Sequence, residues 1–160
     1  MVAALRLLLV SSLALGSAVT YPAQRTLPAC IGGNKGKFGG LLLIAAPKGA
    51  KTKKGFDVDY GYFSIKAPAG GEGYIHGIYG PTATSGRPPG DLLRDSTDVV
   101  HSTWTSSLVQ GVDVTGISSS GKRWRYIGTL GNAVEYSDAD EATARLFDKV
   151  FDAMCINSQR

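Results

Sequence analysis

The last stretch of the chain, residues 137–155, most constrains the fold because it has the spacing of a single amphipathic helix. Ser137 and Asp140 have the spacing of a capping box, and further acidic residues lie where the helix dipole favours negative charge. Apolar residues then recur every three or four positions, which places them on one helix face. They are Ala139, Thr143, Leu146, Phe147, Val150, Phe151 and Met154. We therefore predict a C-terminal helix whose apolar face, with Phe147 and Phe151 at its centre, covers a sheet.

The N-terminal residues have the pattern of a secretory signal peptide. Arg6 precedes an apolar run over residues 7–15, and small residues follow at 16–18. This run is too short for a permanent span, and no other stretch approaches the ~20 apolar residues that a bilayer requires. We therefore expect cleavage near Val19, a secreted or periplasmic location and no transmembrane span in the mature chain. An uncleaved signal peptide is the alternative.

The two cysteines, Cys30 and Cys155, lie near opposite ends of the expected mature chain. Exported proteins meet an oxidising compartment in which disulfides persist. The sequence thus predicts one intramolecular disulfide between them. Lipidation of Cys30 and a pair of reactive or metal-binding thiols are the alternatives, but no Cys-x-x-Cys motif is present.

Alternating and continuous apolar runs predict strands at residues 41–46, 56–67, 73–79, 108–117, 122–130 and 133–136. The run over 56–67 changes phase near Gly61, which favours a bulge or bend within one long strand. Residues 88–103 begin with Pro88 and Pro89 and carry a weaker helical stripe. The connections are too short for parallel crossovers. We therefore expect an α+β fold, with an antiparallel sheet of about five to six strands, one internal helix and the C-terminal amphipathic helix packed on it.

These elements predict a simple domain organisation. Residues 1–18 form the signal peptide and 19–39 an extended glycine-rich lead-in. Residues 40–155 form a single α+β domain, and 156–160 a tail. About 140 residues are enough for one hydrophobic core, so we expect the disulfide to reinforce that core.

The net charge of +4 is unevenly distributed, because no acidic residue precedes Asp57. Lysines crowd residues 48–54, which we interpret as a mobile loop between two strands. Such a cluster favours an anionic partner, for example a lipid surface or a glycan. The candidate binding residues are Lys48, Lys51, Lys53 and Lys54. A solvated connection without a partner is the alternative.

A second basic segment, residues 122–130, alternates arginines with aromatic residues. Trp124 and Tyr126 are expected to face the core, which leaves Arg123 and Arg125 in solvent as further candidate binding residues. No nucleic-acid partner is expected, because the protein is expected to be exported.

Catalysis has few candidates in this sequence. His76 and His101 are the two histidines, and Asp57 and Asp59 lie two apart, on one face of a predicted strand. No Gly-x-Ser-x-Gly elbow or complete phosphate-binding loop is present, and we expect no cofactor or bound metal. The sequence therefore favours a small exported binding protein of unknown ligand. A small hydrolase that uses a histidine with a carboxylate is the alternative.

Overall fold

The structure is a computed structural model that describes residues 24–32, 36–81 and 85–158. In chain order its elements are β1 (Gln24–Thr26), β2 (Lys37–Phe38), β3 (Leu42–Ala45), β4 (Lys51–Phe56), β5 (Gly61–Lys66), β6 (Tyr74–Tyr79), α1 (Gly90–Arg94), β7 (Ser96–Thr105), β8 (Gln110–Ser118), β9 (Arg123–Thr129), β10 (Asn132–Ala139), α2 (Glu141–Asp152) and β11 (Cys155–Ile156). The α+β class is therefore confirmed.

The larger sheet has eight strands in the order β1-β7-β8-β9-β10-β6-β5-β4. Strand β1 is parallel to β7, and each of the other neighbouring pairs is antiparallel. A smaller sheet has the order β11-β3-β2. The prediction of an antiparallel sheet of five to six strands was wrong, because the segments around β1, β4 and β7 were interpreted as lead-in, loop and helix.

The predicted internal helix is mostly a strand. Helix α1 spans only Gly90–Arg94, and residues 96–105 form β7, which pairs with β8. A bulge between Thr97 and Val100, with Asp98 at a φ of 51°, shifts the register and interrupts the two-residue alternation. This interruption produced a spacing that resembles a weak helical stripe.

The lysine-rich segment is also mostly a strand. The prediction of a mobile loop over residues 48–54 was wrong, because β4 begins at Lys51 and lies at one edge of the larger sheet. Residues 57–60 form the turn into β5, so the phase change near Gly61 marks a hairpin, and the single bent strand was also wrong. Lysines are typical of edge strands because they discourage pairing with another chain.

Helix α2 begins later than predicted, at Glu141. Asp140 is its N-cap, and the Asp140 side chain accepts a hydrogen bond of 2.8 Å from the backbone N of Thr143. Ser137 lies in β10, so it is not part of the cap. The predicted apolar face is confirmed, since Phe147 and Phe151 are fully buried.

The larger sheet carries apolar side chains on both faces. Under α2 lies the main core, which includes Ile65, Trp104, Ile127, Tyr136 and the two helix phenylalanines. On the opposite face, which we call the open face, a smaller cluster consists of Val114, Trp124, Tyr126 and Ala133. Leu92 and Leu93 of the short α1 pack against this cluster. The described residues thus cover the open face only in part.

The predicted disulfide is confirmed, since Cys30 is bonded to Cys155. The Cys30 backbone N also donates a hydrogen bond of 2.9 Å to the carbonyl of Ile156, so the bond joins segments that already pack together. The two cysteines are 125 positions apart in the sequence, so the bond closes most of the chain into one ring. The chain-entropy estimate for such a ring is about 5 kcal/mol of stabilisation.

The predicted signal peptide, residues 1–18, lies outside the described residues, and the domain boundaries stay predictions. The lead-in segment contributes β1 and β2, and residue 156 of the predicted tail pairs in β11. Within the described ranges, neither helix is long and apolar enough to cross a membrane.

Candidate functional site

The strand register brings five chemically distinct side chains into one row on the open face. Lys53 of β4 pairs with Ser64 of β5, and Ser64 pairs with His76 of β6. His76 pairs with Glu135 of β10, which pairs with Tyr126 of β9. Side chains directly opposite each other on neighbouring strands point to the same face, with Cβ atoms about 5 Å apart. We call these five residues the central row.

The central row lines a pocket of about 820 Å³. Tyr62, Ile78 and Ala133 add apolar surface to its floor, and the segment 85–90 forms a wall that includes Arg87. Small-molecule sites typically have volumes of ~300–1,000 Å³ and combine apolar walls with a few polar groups. The pocket therefore has the size and the lining of a small-molecule site.

The wall segment is held in place by its backbone. Ser85 forms a β-bridge with Leu130, next to the end of β9. Gly86 has a φ of +76°, and a Cβ atom there would lie 2.9 Å from the carbonyl carbon of Thr129. A residue other than glycine would therefore be strained and crowded at this position. Two prolines, Pro88 and Pro89, follow Arg87 and restrict the backbone further.

Most polar side chains of the pocket have no partner among the residues that the structure describes. Within the described ranges, Lys53, Ser64, His76, Arg87 and Glu135 form no hydrogen bond or ion pair. The His76 ring stacks on the Tyr74 ring, with centroids 5.7 Å apart. The hydrogen-bonding capacity of these five side chains is thus available to a molecule in the pocket.

The two titratable groups at the centre of the pocket have shifted pKa values. Burial lowers the pKa of His76 below its ordinary 6.5, which favours the neutral imidazole. Burial, and after it the negative charge of Asp91 in α1, raises the pKa of Glu135 above its ordinary 4.5. Shifted pKa values in a cleft are a recognised mark of functional sites.

The opposite face has a different polar arrangement, in which the charges are paired. Arg125 donates to both oxygens of Asp113, at 2.9 and 2.7 Å, and to Asp148 and Asp152 of α2 at 3.2 and 3.1 Å. Burial lowers the pKa of Arg125, but the hydrogen bonds and charge of Asp113, with the two α2 carboxylates, raise it above its ordinary value. Arg123 forms ion pairs with Glu141 and Asp148.

The prediction that these arginines face solvent was wrong, because only 11% of the Arg125 side chain and 32% of the Arg123 side chain are exposed. Alternation in β9 correctly placed Trp124 and Tyr126 in a core, but α2 covers the other face as well. Both arginines therefore hold α2 on the sheet.

The lysine candidates are exposed along the edge of the sheet. Lys51, Lys53 and Lys54 lie in β4, and Lys48 lies in the turn before it. Lys53 lines the pocket, whereas Lys54 points to the other face of the strand. The edge strand thus contributes one lysine to the pocket and presents the others to solvent.

The catalytic candidates are not brought together. Asp57 and Asp59 are exposed in the turn between β4 and β5 and do not line the pocket. His101 extends the central row on β7, four strand steps from His76. At about 4.8 Å per step this separation is ~19 Å. The carboxylate opposite His76 is Glu135, which the sequence did not single out.

The described residues contain no group of three or more His, Cys, Asp or Glu side chains that could hold a metal ion. Comparison of the chain with protein-family models, with curated proteins and with solved structures finds no match. Function is therefore inferred from the pocket itself.

Proposed function

We propose that this protein is an exported binding protein that takes a small molecule into the open-face pocket. The observation that carries the proposal is the contrast between the two faces of the sheet. On the α2 face Arg125 is paired with three carboxylates, those of Asp113, Asp148 and Asp152, whereas five polar side chains of the pocket have no partner in the described residues. A bound molecule would supply hydrogen-bond partners to these polar groups, which converge over an apolar floor.

The exported location rests on the signal-peptide pattern and is supported by the disulfide. A disulfide between Cys30 and Cys155 is stable in an oxidising compartment and uncommon in the cytosol. A secreted or periplasmic protein of this kind meets small molecules from the surroundings.

A screen by thermal unfolding tests the proposal. Ligands that bind only the folded protein raise its melting temperature. Ser64→Trp places a large ring among the central row and should abolish the shifts that small molecules produce in the parent. Thr52→Trp is the matched control, because Thr52 is exposed on the neighbouring strand and lies outside the pocket lining.

His76→Trp provides a second blocking variant, and each variant is used only if its circular dichroism matches that of the parent. Compounds that stabilise the parent and both blocking variants equally would bind elsewhere. That result would refute the pocket as the site.

A small hydrolase is the second candidate function, favoured by the order of the central row. Ser64, His76 and Glu135 are consecutive on adjacent strands, in the order nucleophile, base and carboxylate that acyl transfer requires. No hydrogen bond joins these three side chains in the structure. For this reason we place binding first.

Hydrolysis of p-nitrophenyl acetate separates the two functions. A hydrolase should lose its turnover in Ser64→Ala and in His76→Gln, and His101→Gln should keep the rate of the parent. A parent rate equal to that of Ser64→Ala would exclude Ser64 as the nucleophile and leave binding as the function.

A further inference from the structure

We propose that the ligand of this pocket is an organic acid with an apolar ring, whose anionic group is attracted and held by Lys53 and Arg87. This inference rests on the proposed binding function and names the chemical class that the pocket selects. It is carried by the charges of the lining, by the apolar floor and by the fixed position of the segment that carries Arg87.

The charge of the pocket lining selects among ligands. The lining carries two cations, Lys53 and Arg87, and one acidic side chain, Glu135. Neither cation forms an ion pair with a described residue. An anion that leaves water for a half-enclosed cleft needs a cationic partner, and charge-assisted hydrogen bonds to Arg or Lys provide one. The lining therefore favours a ligand with negative charge over an equally sized neutral one.

Lys53 lies on the edge strand, and Arg87 lies in the wall that is bridged to Leu130 beyond the end of β9. The two cations thus enter the pocket from different elements. Because the wall backbone is restrained at Gly86 and by the following prolines, less conformational entropy is lost when a ligand binds Arg87.

The floor and the wall of the pocket provide apolar surface for a ring of the ligand. Tyr62, Ile78, Tyr126 and Ala133 lie side by side on the floor, and Pro88 and Pro89 add apolar surface from the wall. Flat aromatic surfaces stack favourably on rings of this kind. A cleft of about 820 Å³ has room for one or two fused rings with a side chain.

The acidic end of the pocket limits the negative charge of the ligand. Glu135 lies three strand steps from Lys53, which corresponds to ~14 Å, and Asp91 of α1 adds negative potential near it. A second anionic group at this end of the pocket would be repelled, whereas a hydroxyl or amine could donate a hydrogen bond to the Glu135 carboxyl. The class is therefore a monoacid.

Matched probes test the inference by NMR with backbone amide signals. Indole-3-acetate and indole-3-acetamide share the ring and differ in charge, so they separate the contribution of the anion from that of the ring. We expect both probes to shift signals of the floor residues. The acid should bind about tenfold or more tightly, which is the factor that a charge-assisted hydrogen bond provides.

Three variants assign that preference to residues. Lys53→Gln and Arg87→Gln should each reduce the preference for the acid over the amide, and the double variant should remove this preference. Lys54→Gln is the matched control, since Lys54 is exposed and lies on the other face of the same strand. This control should keep the preference of the parent.

The outcomes separate the inference from the proposed function. Equal affinities for acid and amide, with both probes in the pocket, would overturn the inference and leave the binding function intact. An equal loss in Lys54→Gln would overturn it too, because the general charge of the edge strand would then attract the acid. If neither probe shifts a floor residue, both proposals fail.

Discussion

Replacement of Arg125 by Met should strongly destabilise the protein. The side chain of Arg125 is 11% exposed and that of its bidentate partner Asp113 is 8% exposed. Met keeps the length of the side chain and much of its packing but removes the guanidinium. The variant therefore leaves the Asp113 carboxylate buried without its main partner. It also removes the cation that the carboxylates of α2 contact.

The structure limits the magnitude of this loss. Removal of one partner from a buried ion pair costs about 3–5 kcal/mol. Arg25 lies 3.8 Å from Asp113 and is itself disfavoured by burial and by the positive charge of Arg125, which together lower the Arg25 pKa. Without Arg125, Arg25 becomes the cation nearest to Asp113 and offsets part of the loss. We therefore expect about 3 kcal/mol, at the lower end of the range.

Equilibrium urea unfolding with the disulfide intact measures the loss. The double variant Arg125→Met with Asp113→Asn should recover at least half of it, because no buried charge is then left without a partner. Arg145→Met is the control, since the Arg145 pair with Glu141 is exposed and should contribute no more than about 0.5 kcal/mol. A loss under ~1 kcal/mol for Arg125→Met, or a double variant less stable than the single one, would refute the reasoning.

The remaining predictions concern the helix, the pocket and the disulfide. Phe151→Ala should lower the free energy of unfolding by ~3–5 kcal/mol because this ring is fully buried. Phe56→Ala should lower it by under ~0.5 kcal/mol because Phe56 is 76% exposed. Equal losses would contradict the packing of α2. The pKa of Glu135 is raised in the folded protein, so protonation of this carboxyl stabilises the fold, and the stabilisation is complete below pH 4.5. It is lost as pH rises through the raised pKa of the folded protein, at about 1.4 kcal/mol for each pKa unit of elevation. Glu135→Gln should therefore be more stable than the parent at neutral pH and lose this advantage in acid. A gain in stability that is independent of pH would exclude the raised pKa as its cause. Alkylation of the unreduced exported protein should label neither Cys30 nor Cys155, and labelling of both would contradict the disulfide in the exported protein.

The C-terminal helix could be predicted because its signal is local. The three-to-four spacing around Phe147 and Phe151 describes one face of α2 directly. The start of the helix could not be predicted in the same way. Strand β10 continues through an irregularity after Tyr136, where Asp138 has a φ of 54°, and ends at Ala139 just before the cap. Acidic residues near that point fit either a strand end or a first helical turn.

The central row could not be predicted because it depends on which strands are neighbours. Glu135 lies opposite His76 only because β10 pairs with β6, which is more than fifty residues away in the sequence. Alternation within β10 predicts on which face of the sheet Glu135 lies, but it does not predict which residue lies opposite on the neighbouring strand. Arg125 shows the same limitation, since no local pattern reveals that α2 covers its face of the sheet.

A small-molecule site in the open-face pocket can be tested by native mass spectrometry after incubation with a small-molecule extract of the surroundings of the producing cells. We expect that the parent retains one bound small molecule, that Ser64→Trp retains none and that Thr52→Trp retains the same mass as the parent. An added mass that is equal in the parent and in Ser64→Trp, or no added mass in the parent, would contradict a small-molecule site in the open-face pocket.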